Sequence, residues 1–399
     1  MKSWPELDIP AIPVTVGEIS LLDAFSGEVR KFIVPSDTSY IYVCGITPYD
    51  STHIGHATTY VFFDVLHRLL RATQKPIVMI ENITDIDDPL FKKAKELGKD
   101  WQELASEQVS RFSKDMTLLR VLPPQNFIAV SETMDALLLH IQELIQNGAA
   151  YFLDGDVYFK YQGSMATEYE MRIFKERGGD PERSNKHHPL DSVLWKVTEE
   201  SPNFPSPWGA GRPGWHIECV SIIEKFAQKS LLVQGGGSDL KFPHHTMSHQ
   251  QFCKLTSHSQ LAHVYFHVAM VMYQGEKMSK SLGNLVFVDE LLHQGASAME
   301  IRYAILMQDY NLEWEWKSNI LEEARIRYAR LIAALSCENT ADGENAVQEI
   351  VKLLCDNLNT PASLDILDQW AKNTLSGSGK HSHAGVVART VDALLGIGA

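Results

Sequence analysis

The sequence has no apolar run of membrane-spanning length and no basic-then-apolar segment at its N-terminus. Cysteine is scarce: the five residues are widely spaced, which argues against a disulfide framework. Basic residues are also fewer than acidic ones: 36 Lys and Arg stand against 50 Asp and Glu, for a net charge of −14. This balance disfavours a large nucleic-acid-binding surface. We therefore expect a cytoplasmic protein with no membrane contact.

Two short motifs dominate what is present, the segment His53–His56 (HIGH) and the segment 277–281 (KMSKS). Two imidazoles at i and i+3 share one face of a helix start, where free N–H groups attract anions. Two lysines in a loop can close over phosphates as charge develops. Histidine pairs are common in a chain with 16 histidines, but the joint occurrence of the two motifs favours a site that handles ATP.

The periodicity around the motifs predicts an α/β architecture. Residues 40–43 form an apolar strand and Gly55 to Ala72 an amphipathic helix, and strands and helices alternate up to about Ala94. Short strands and turns from Tyr151 to Pro213 indicate an insertion. The pattern after Asn284 is helical. We expect an activation domain over 1–285, with its insertion at about 151–213, and a helical domain over 286–399.

The two motifs together resemble the ATP-activating signature of class I aminoacyl-tRNA synthetases. The resemblance implies a Rossmann-type nucleotide-binding fold that takes ATP as its Mg²⁺ complex. The catalytic residues it implies are His53, His56, Lys277 and Lys280.

A metal site is a second candidate feature, formed by Cys44, Cys219 and His244. Two thiolates and one imidazole suit zinc and leave a coordination position open for a substrate. Spacing alone leaves the alternative open, because the three residues are not in close pairs and lone buried cysteines often act as small hydrophobes.

The chain resembles cysteinyl-tRNA synthetase through Cys44–Thr47, both ATP motifs, Gly235–Leu240 and Phe242–His245. In that family one zinc binds the substrate's thiolate, and this separates cysteine from serine, which differs by one atom. The resemblance implies zinc ligation by Cys44, Cys219 and His244. It also implies that Asp239 accepts hydrogen bonds from the ribose and that Val271 lies near the adenine. The full set of residues implied to line the cysteinyl-adenylate site is Cys44, Gly45, Ile46, Thr47, Thr59, Asn82, Ile83, Thr84, Trp215, Gly237, Ser238, Asp239 and Val271. Trp215 also fits a core aromatic.

Four features depart from the tRNA synthetase. Thr246-Met247-Ser248 stands where the synthetase usually has two glutamates, the second of which is a zinc ligand. The arginine that the synthetase has shortly after its first ATP motif is also missing after His56. There is little room for a C-terminal tRNA-reading region, and Glu176–Pro181 (ERGGDP) is not a synthetase motif. Together they resemble the cysteine ligase family of mycothiol biosynthesis, which carries Glu-Arg-Gly-Gly-Asp-Pro as a signature but commonly has an acid where Thr246 stands. Taken alone, this segment is a helix end.

The ligase resemblance implies that cysteine is activated by ATP and joined to the amine of glucosaminyl-inositol by a monomeric enzyme that does not use tRNA. A cysteinyl-tRNA synthetase with a shortened C-terminus is the main alternative. An inactive zinc-dependent cysteine-binding protein is a third hypothesis, which the intact histidines and lysines of the ATP motifs disfavour.

Overall fold

The computed structural model describes residues 3–49, 51–278 and 283–398. Its centre is a five-stranded parallel sheet in the order β11-β10-β3-β4-β5. The strands are β3 (Ser39–Val43), β4 (Ile77–Ile83), β5 (Asn126–Ala129), β10 (Leu231–Gly237) and β11 (Ala262–Val268). This parallel sheet, flanked by helices, confirms the predicted α/β fold class.

Apolar strands and amphipathic helices follow one another through the first half as the periodicity predicts. Helix α1 (Ile54–Ala72) crosses from β3 to β4 and buries Phe62, Val65 and Leu66 against the sheet. Helices α2 (Asp88–Leu97), α3 (Trp101–Leu118) and α4 (Met134–Gln146) follow, and α6 (Trp215–Ala227) and α7 (Thr246–Thr256) flank β10.

A separate antiparallel sheet occupies the segment between α4 and α6. It contains β6 (Ala150–Leu153), β7 (Asp156–Phe159), β8 (Ser192–Val197) and β9 (Gly211–Pro213) in sequential order, with α5 (Glu168–Glu176) between β7 and β8. This sheet coincides with the predicted change of texture from Tyr151 to Pro213. The division of the chain into domains itself stays a prediction.

Two small sheets complete the strands. Strands β1 (Ile19–Leu22) and β2 (Val29–Phe32) form a hairpin, while β12 (Val271–Tyr273), β13 (Glu276–Lys277) and β14 (Trp314–Glu315) form a sheet beside the lysine motif. Strand β14 interrupts a segment predicted to be helical, because the main-chain N–H of Trp316 donates to Met272 O at 2.8 Å.

The C-terminal part is helical and packs directly on the sheet domain. Its helices are α8 (Val288–His293), α9 (Ala298–Leu306), α10 (Ser318–Leu335), α11 (Gly343–Cys355), α12 (Thr360–Asn373) and α13 (Ala384–Leu395). One apolar cluster runs from Phe62 on α1 to Ile301 on α9 and Leu394 on α13, so the core is continuous across residue 285. Within the described residues no helix is long and apolar enough to cross a membrane.

Candidate active site

The two predicted thiol ligands and the predicted imidazole come together at the carboxyl end of the parallel sheet. Cys44 follows β3, Cys219 lies in the second turn of α6, and His244 precedes α7. Cys44 Sγ lies 3.9 Å from Cys219 Sγ, and His244 Nε2 lies 3.2 Å from Cys219 Sγ. Their possible ligand atoms all lie within 4.8 Å of one another and all three residues are buried. The structure therefore places the predicted cluster where one ion could be held.

Burial and hydrogen bonding shift the pKa values of the two thiols in opposite directions. Burial raises the pKa of the Cys44 thiol, while the hydrogen bond with Cys44, followed by the field of His244, lowers the pKa of Cys219 well below its ordinary value. His216 Nδ1 lies 3.0 Å from His244 Nδ1, which leaves His244 Nε2 facing the thiols. Holding the far nitrogen of a ligating imidazole is how proteins fix its orientation. The donor set and its orientation fit a soft divalent ion.

A second imidazole at the cluster was not assigned from the sequence. His245 Nε2 lies 3.1 Å from Cys44 Sγ, and its Nδ1 lies 2.7 Å from His267 Nε2. Burial lowers the pKa of His245 well below its ordinary value and that of His267 to about 4, so both rings are neutral at pH 7. The adjacent histidines in residues 244–245 were the available signal, but their separate directions depend on the backbone turn before α7.

The residues that replace the synthetase's glutamates have structural contacts. Ser248 is fully buried and its hydroxyl donates to His244 O at 2.9 Å. Thr246 Oγ1 donates to Lys241 O at 2.9 Å. The Ser248 hydroxyl is thus bound to main chain beside the predicted ligand His244, and the group of possible ligand atoms that the described residues form here consists of Cys44, Cys219 and His244.

Trp215 lies beside the predicted ligand His244. It begins α6 one turn before Cys219, so both side chains lie on the same helix face. Its ring stacks on His244 with centroids 4.3 Å apart, and the residue is half-buried. Trp215 therefore packs against a predicted ligand while keeping exposed surface, and its contact with the substrate stays a prediction.

The predicted site residues at the ends of β3 and β4 are held in close contact with one another. Asn82 Oδ1 accepts hydrogen bonds from Gly45 N and from the Tyr42 hydroxyl, both at 2.9 Å, and Asn82 Nδ2 donates to Thr84 Oγ1 at 3.0 Å. A Cβ on Gly45 would lie 1.5 Å from Asn82 O, so only glycine fits there. Through these hydrogen bonds, the Asn82 side chain positions the ends of β3 and β4 relative to each other.

The remaining predicted wall residues divide by exposure. Ile46 and Ile83 pack in the main apolar core, while Thr47 and Thr59 keep exposed surface. Thr47 Oγ1 donates to Asp87 Oδ2 at 3.2 Å, and burial raises the pKa of Asp87 to about 6. Asp87 was not singled out from the sequence, although the acidic run after β4 was a visible signal.

The first ATP motif forms the start of α1. His53 is the N-cap residue, and its Nδ1 accepts a long hydrogen bond from His56 N at 3.4 Å. The His53 and His56 rings stack with centroids 3.8 Å apart. Ile54 N donates to Val286 O at 2.8 Å, which ties this helix start to the segment after the lysine motif. Both rings therefore lie together at a positive helix end, as predicted.

Asp239 joins the lysine motif to the Glu176–Pro181 segment. Its Oδ2 accepts hydrogen bonds from Lys277 Nζ at 3.1 Å and from an Arg177 NH2 at 2.9 Å. Although burial raises its pKa, the two cations bring the pKa of Asp239 below its ordinary value. Both cations contact the same carboxylate oxygen, Oδ2. Lys280 lies outside the described residues.

The Glu176–Pro181 segment is a helix end, as its glycines indicate, but it also reaches the site. Helix α5 ends at Glu176, Gly178 has a φ of +86°, and a Cβ on Gly179 would lie 2.5 Å from the Phe174 ring. Asp180 accepts hydrogen bonds from Lys186 Nζ at 2.9 Å and from the Tyr158 hydroxyl. The segment thus anchors α5 to the antiparallel sheet and projects Arg177 toward Asp239.

The glycines at the end of β10 allow close approach, most strictly at Gly235. A Cβ there would lie 1.7 Å from Phe266 O, and one on Gly237 would lie 2.7 Å from Asp239 Oδ1. Ser238 keeps exposed surface. Val271 is 1% exposed and packs in the main core, so the structure gives it almost no surface facing a nucleotide.

Comparison with known proteins defines the class first. Residues 33–326 match the family described as the class I (C) tRNA synthetase catalytic domain. Methionyl-tRNA synthetase of Mycobacterium tuberculosis, solved in complex with methionyl-adenylate, has the same fold: the TM-score is 0.61 at 13% identity, over 90% of this chain and 89% of that one. The fold and the two motifs are those of a class I synthetase-type enzyme.

The particular family follows from full-length relatives. The chain is 42% identical over 407 residues to a protein of Thermobifida fusca, covering 100% of this chain and 98% of the relative. It is 43% identical over 411 residues to a protein of Nakamurella multipartita, covering 100% and 99%. Both are named L-cysteine:1D-myo-inositol 2-amino-2-deoxy-alpha-D-glucopyranoside ligase. The chain belongs to this ligase family, within the class I synthetases.

Proposed function

We propose that the protein activates L-cysteine with Mg-ATP and joins it to the amine of glucosaminyl-inositol. The observation that carries this proposal is identity of 40–43% along the whole chain to relatives that share the ligase name. In the first step the cysteine carboxylate attacks the α-phosphate, and pyrophosphate leaves. In the second the acceptor amine attacks the activated carbonyl, the C–O bond to phosphate breaks, and AMP leaves with the electron pair.

We propose that the cluster of Cys44, Cys219 and His244 holds one zinc ion. The support is the buried convergence of two thiols with an imidazole whose far nitrogen is held by His216. The ion would supply a soft coordination position that favours a substrate thiolate over a hydroxyl. The chain's own residues do the positioning: Trp215 covers one side of His244, and Asn82 holds the ends of β3 and β4 together.

His53, His56, Lys277 and Lys280 stabilise negative charge in the first step. The two rings lie at the positive end of α1, where backbone N–H groups also face an anion. Lys277 already reaches the site through Asp239, 3.1 Å away. We propose that ATP draws Lys277 from this carboxylate toward the phosphates, and that Lys280 acts with it. Charged donors fixed in advance lower the cost of charge that develops on the phosphates.

The test is a side-by-side reaction with two acceptors. The protein is incubated with ATP, cysteine and either glucosaminyl-inositol or tRNA at matched concentrations, and AMP and the product are followed. We expect the amide with glucosaminyl-inositol and no detectable cysteinyl-tRNA. Aminoacylation of tRNA at a comparable rate would instead establish the synthetase activity that the class name describes.

We propose that residues 1–285, with the insertion at about 151–213, form the activation domain and 286–399 the helical one. We also propose that the enzyme is a monomer and acts in the cytoplasm. Sedimentation at several protein concentrations checks the monomer, and a concentration-dependent mass would overturn it.

A further inference from the structure

A cavity of about 930 Å³ lies beside the predicted adenylate site. Its lining residues, as far as the structure describes them, belong to neither ATP motif. Helix α5 forms one side and the turn after β10 with the start of α7 forms the other. Its lining includes Tyr169, Thr167, Ser238, Phe242 and Thr246. This volume is in the range of pockets that hold small organic ligands.

The cavity adjoins the place where acyl transfer would occur. Asp239 lines the cavity and also accepts hydrogen bonds from Lys277 and Arg177. Thr246, which lines the cavity too, follows the predicted ligand His244 by two residues. Ser238 comes directly after β10, at the carboxyl end of the parallel sheet, where open α/β folds bind their ligands. A molecule in the cavity would therefore extend away from the activated carbonyl while one end stayed close to it.

The charged side chains that line the cavity balance in sign, with Arg177 and Lys241 against Glu170 and Asp239. Arg177 and Asp239 form an ion pair at 2.9 Å, and Glu170 accepts hydrogen bonds from Thr167 N and Oγ1, both at 2.8 Å. By contrast, no hydrogen bond to the Tyr169 or Ser238 hydroxyl is found among the described residues. The Arg172 guanidinium lies over the Tyr169 ring, 5.4 Å from its centroid, but Tyr169 is 63% exposed, so the rest of its ring surface is available to a ligand. Aromatic faces beside free hydroxyls, with little net charge, suit a neutral polyol better than a phosphate.

We propose that this cavity binds the neutral cyclitol end of the amine acceptor, the end distal to the nucleophilic nitrogen. The inference rests on the proposed ligase function and assigns to it a subsite. The cyclitol ring would pack on Tyr169 and bond to the hydroxyls around it, which directs the amine past Asp239 toward the carbonyl. Glu176–Pro181 then acts on acceptor binding, because it ends α5 and fixes Arg177 against Asp239.

Steady-state kinetics with Tyr169→Ala tests the subsite. Losing an aromatic face together with a hydroxyl contact should raise KM for glucosaminyl-inositol about tenfold. KM for cysteine and for ATP should stay near the wild-type values, and Tyr169→Phe should recover most of the loss. Phe152→Ala is the matched control, since Phe152 is an aromatic residue 55% exposed and outside the cavity lining.

A truncated acceptor separates this idea from the proposed function. Free D-glucosamine lacks the cyclitol, so the wild type should use it far less well than glucosaminyl-inositol, and Tyr169→Ala should shrink that difference. An unchanged preference in the variant, with amide still formed, would overturn the subsite alone. No amide from either acceptor with the wild-type protein would overturn the ligase function and the subsite with it.

Discussion

We expect Asp64→Asn to destabilise the protein by about 3–5 kcal/mol, because it leaves two buried guanidinium groups without their carboxylate. Asp64 Oδ2 accepts a hydrogen bond from Arg68 Nε at 2.7 Å and another from an Arg302 NH2 group. Its Oδ1 accepts a hydrogen bond from the main-chain N–H of Leu122 at 2.8 Å. Asp64, Arg68 and Arg302 are 0–2% exposed. Burial raises the carboxylate's pKa, but Arg68 and Arg302 outweigh it and hold the pKa below its ordinary value.

The size of the loss follows from what the arginines connect. Arg302 on α9 also donates to Leu119 O at 2.7 Å and Leu395 O at 2.6 Å, so Asp64 on α1 orients a side chain that ties three segments together. An asparagine keeps the shape but removes the charge. A loss of about 3–5 kcal/mol is a large share of the roughly 5–15 kcal/mol that stabilises most domains.

Urea unfolding of wild type, Asp64→Asn and Asp365→Asn measures the effect. Asp365 also pairs with an arginine, Arg327, at 2.8 Å, but its side chain is 72% exposed. An exposed pair of this kind typically contributes about 0–1 kcal/mol. If the two variants lost equal stability, the buried cluster would not be what joins α1 to the C-terminal helices.

Three further changes test the site and the core. Cys219→Ser should reduce bound zinc well below one per chain while Cys253→Ser retains it; equal zinc in both variants would remove Cys219 from the ligand set. Lys277→Ala should slow cysteine-dependent pyrophosphate exchange on the order of a hundredfold, with Lys229→Ala, which removes a surface ion pair to Asp37, as the control, and exchange within a few-fold of wild type would contradict the role. With His67→Leu, the free energy of unfolding should decrease less steeply as the pH falls than it does in the wild type. Burial lowers the pKa of His67 to about 3, so below its unfolded pKa near 6.5 the unfolded chain binds a proton that the folded chain does not. The contribution of His67 should therefore lower stability by up to about 1.4 kcal/mol per pH unit, or by about 1.6 kcal/mol from pH 6.5 to pH 5, and an unchanged pH slope in the variant would refute this.

The local elements were largely readable from the sequence. The strand at residues 40–43 and the helix to Ala72 are β3 and α1 within one residue at each end, because apolar periodicity and a polar N-cap act over a few neighbours. The two-residue strand β14 was not predicted, because it exists only through pairing with β12, about 40 residues away.

The sequence by itself determined the chemistry available: which residues can bind a metal or phosphates, and the order of strands and helices that carries them. Only the tertiary structure decided their partners. Cys44 and Cys219 meet across 175 residues, and Arg177 and Lys277 converge on one oxygen of Asp239. Local propensity is encoded in adjacent residues, whereas burial, hydrogen-bond choice and pKa depend on groups brought together by packing, so no short motif contains them.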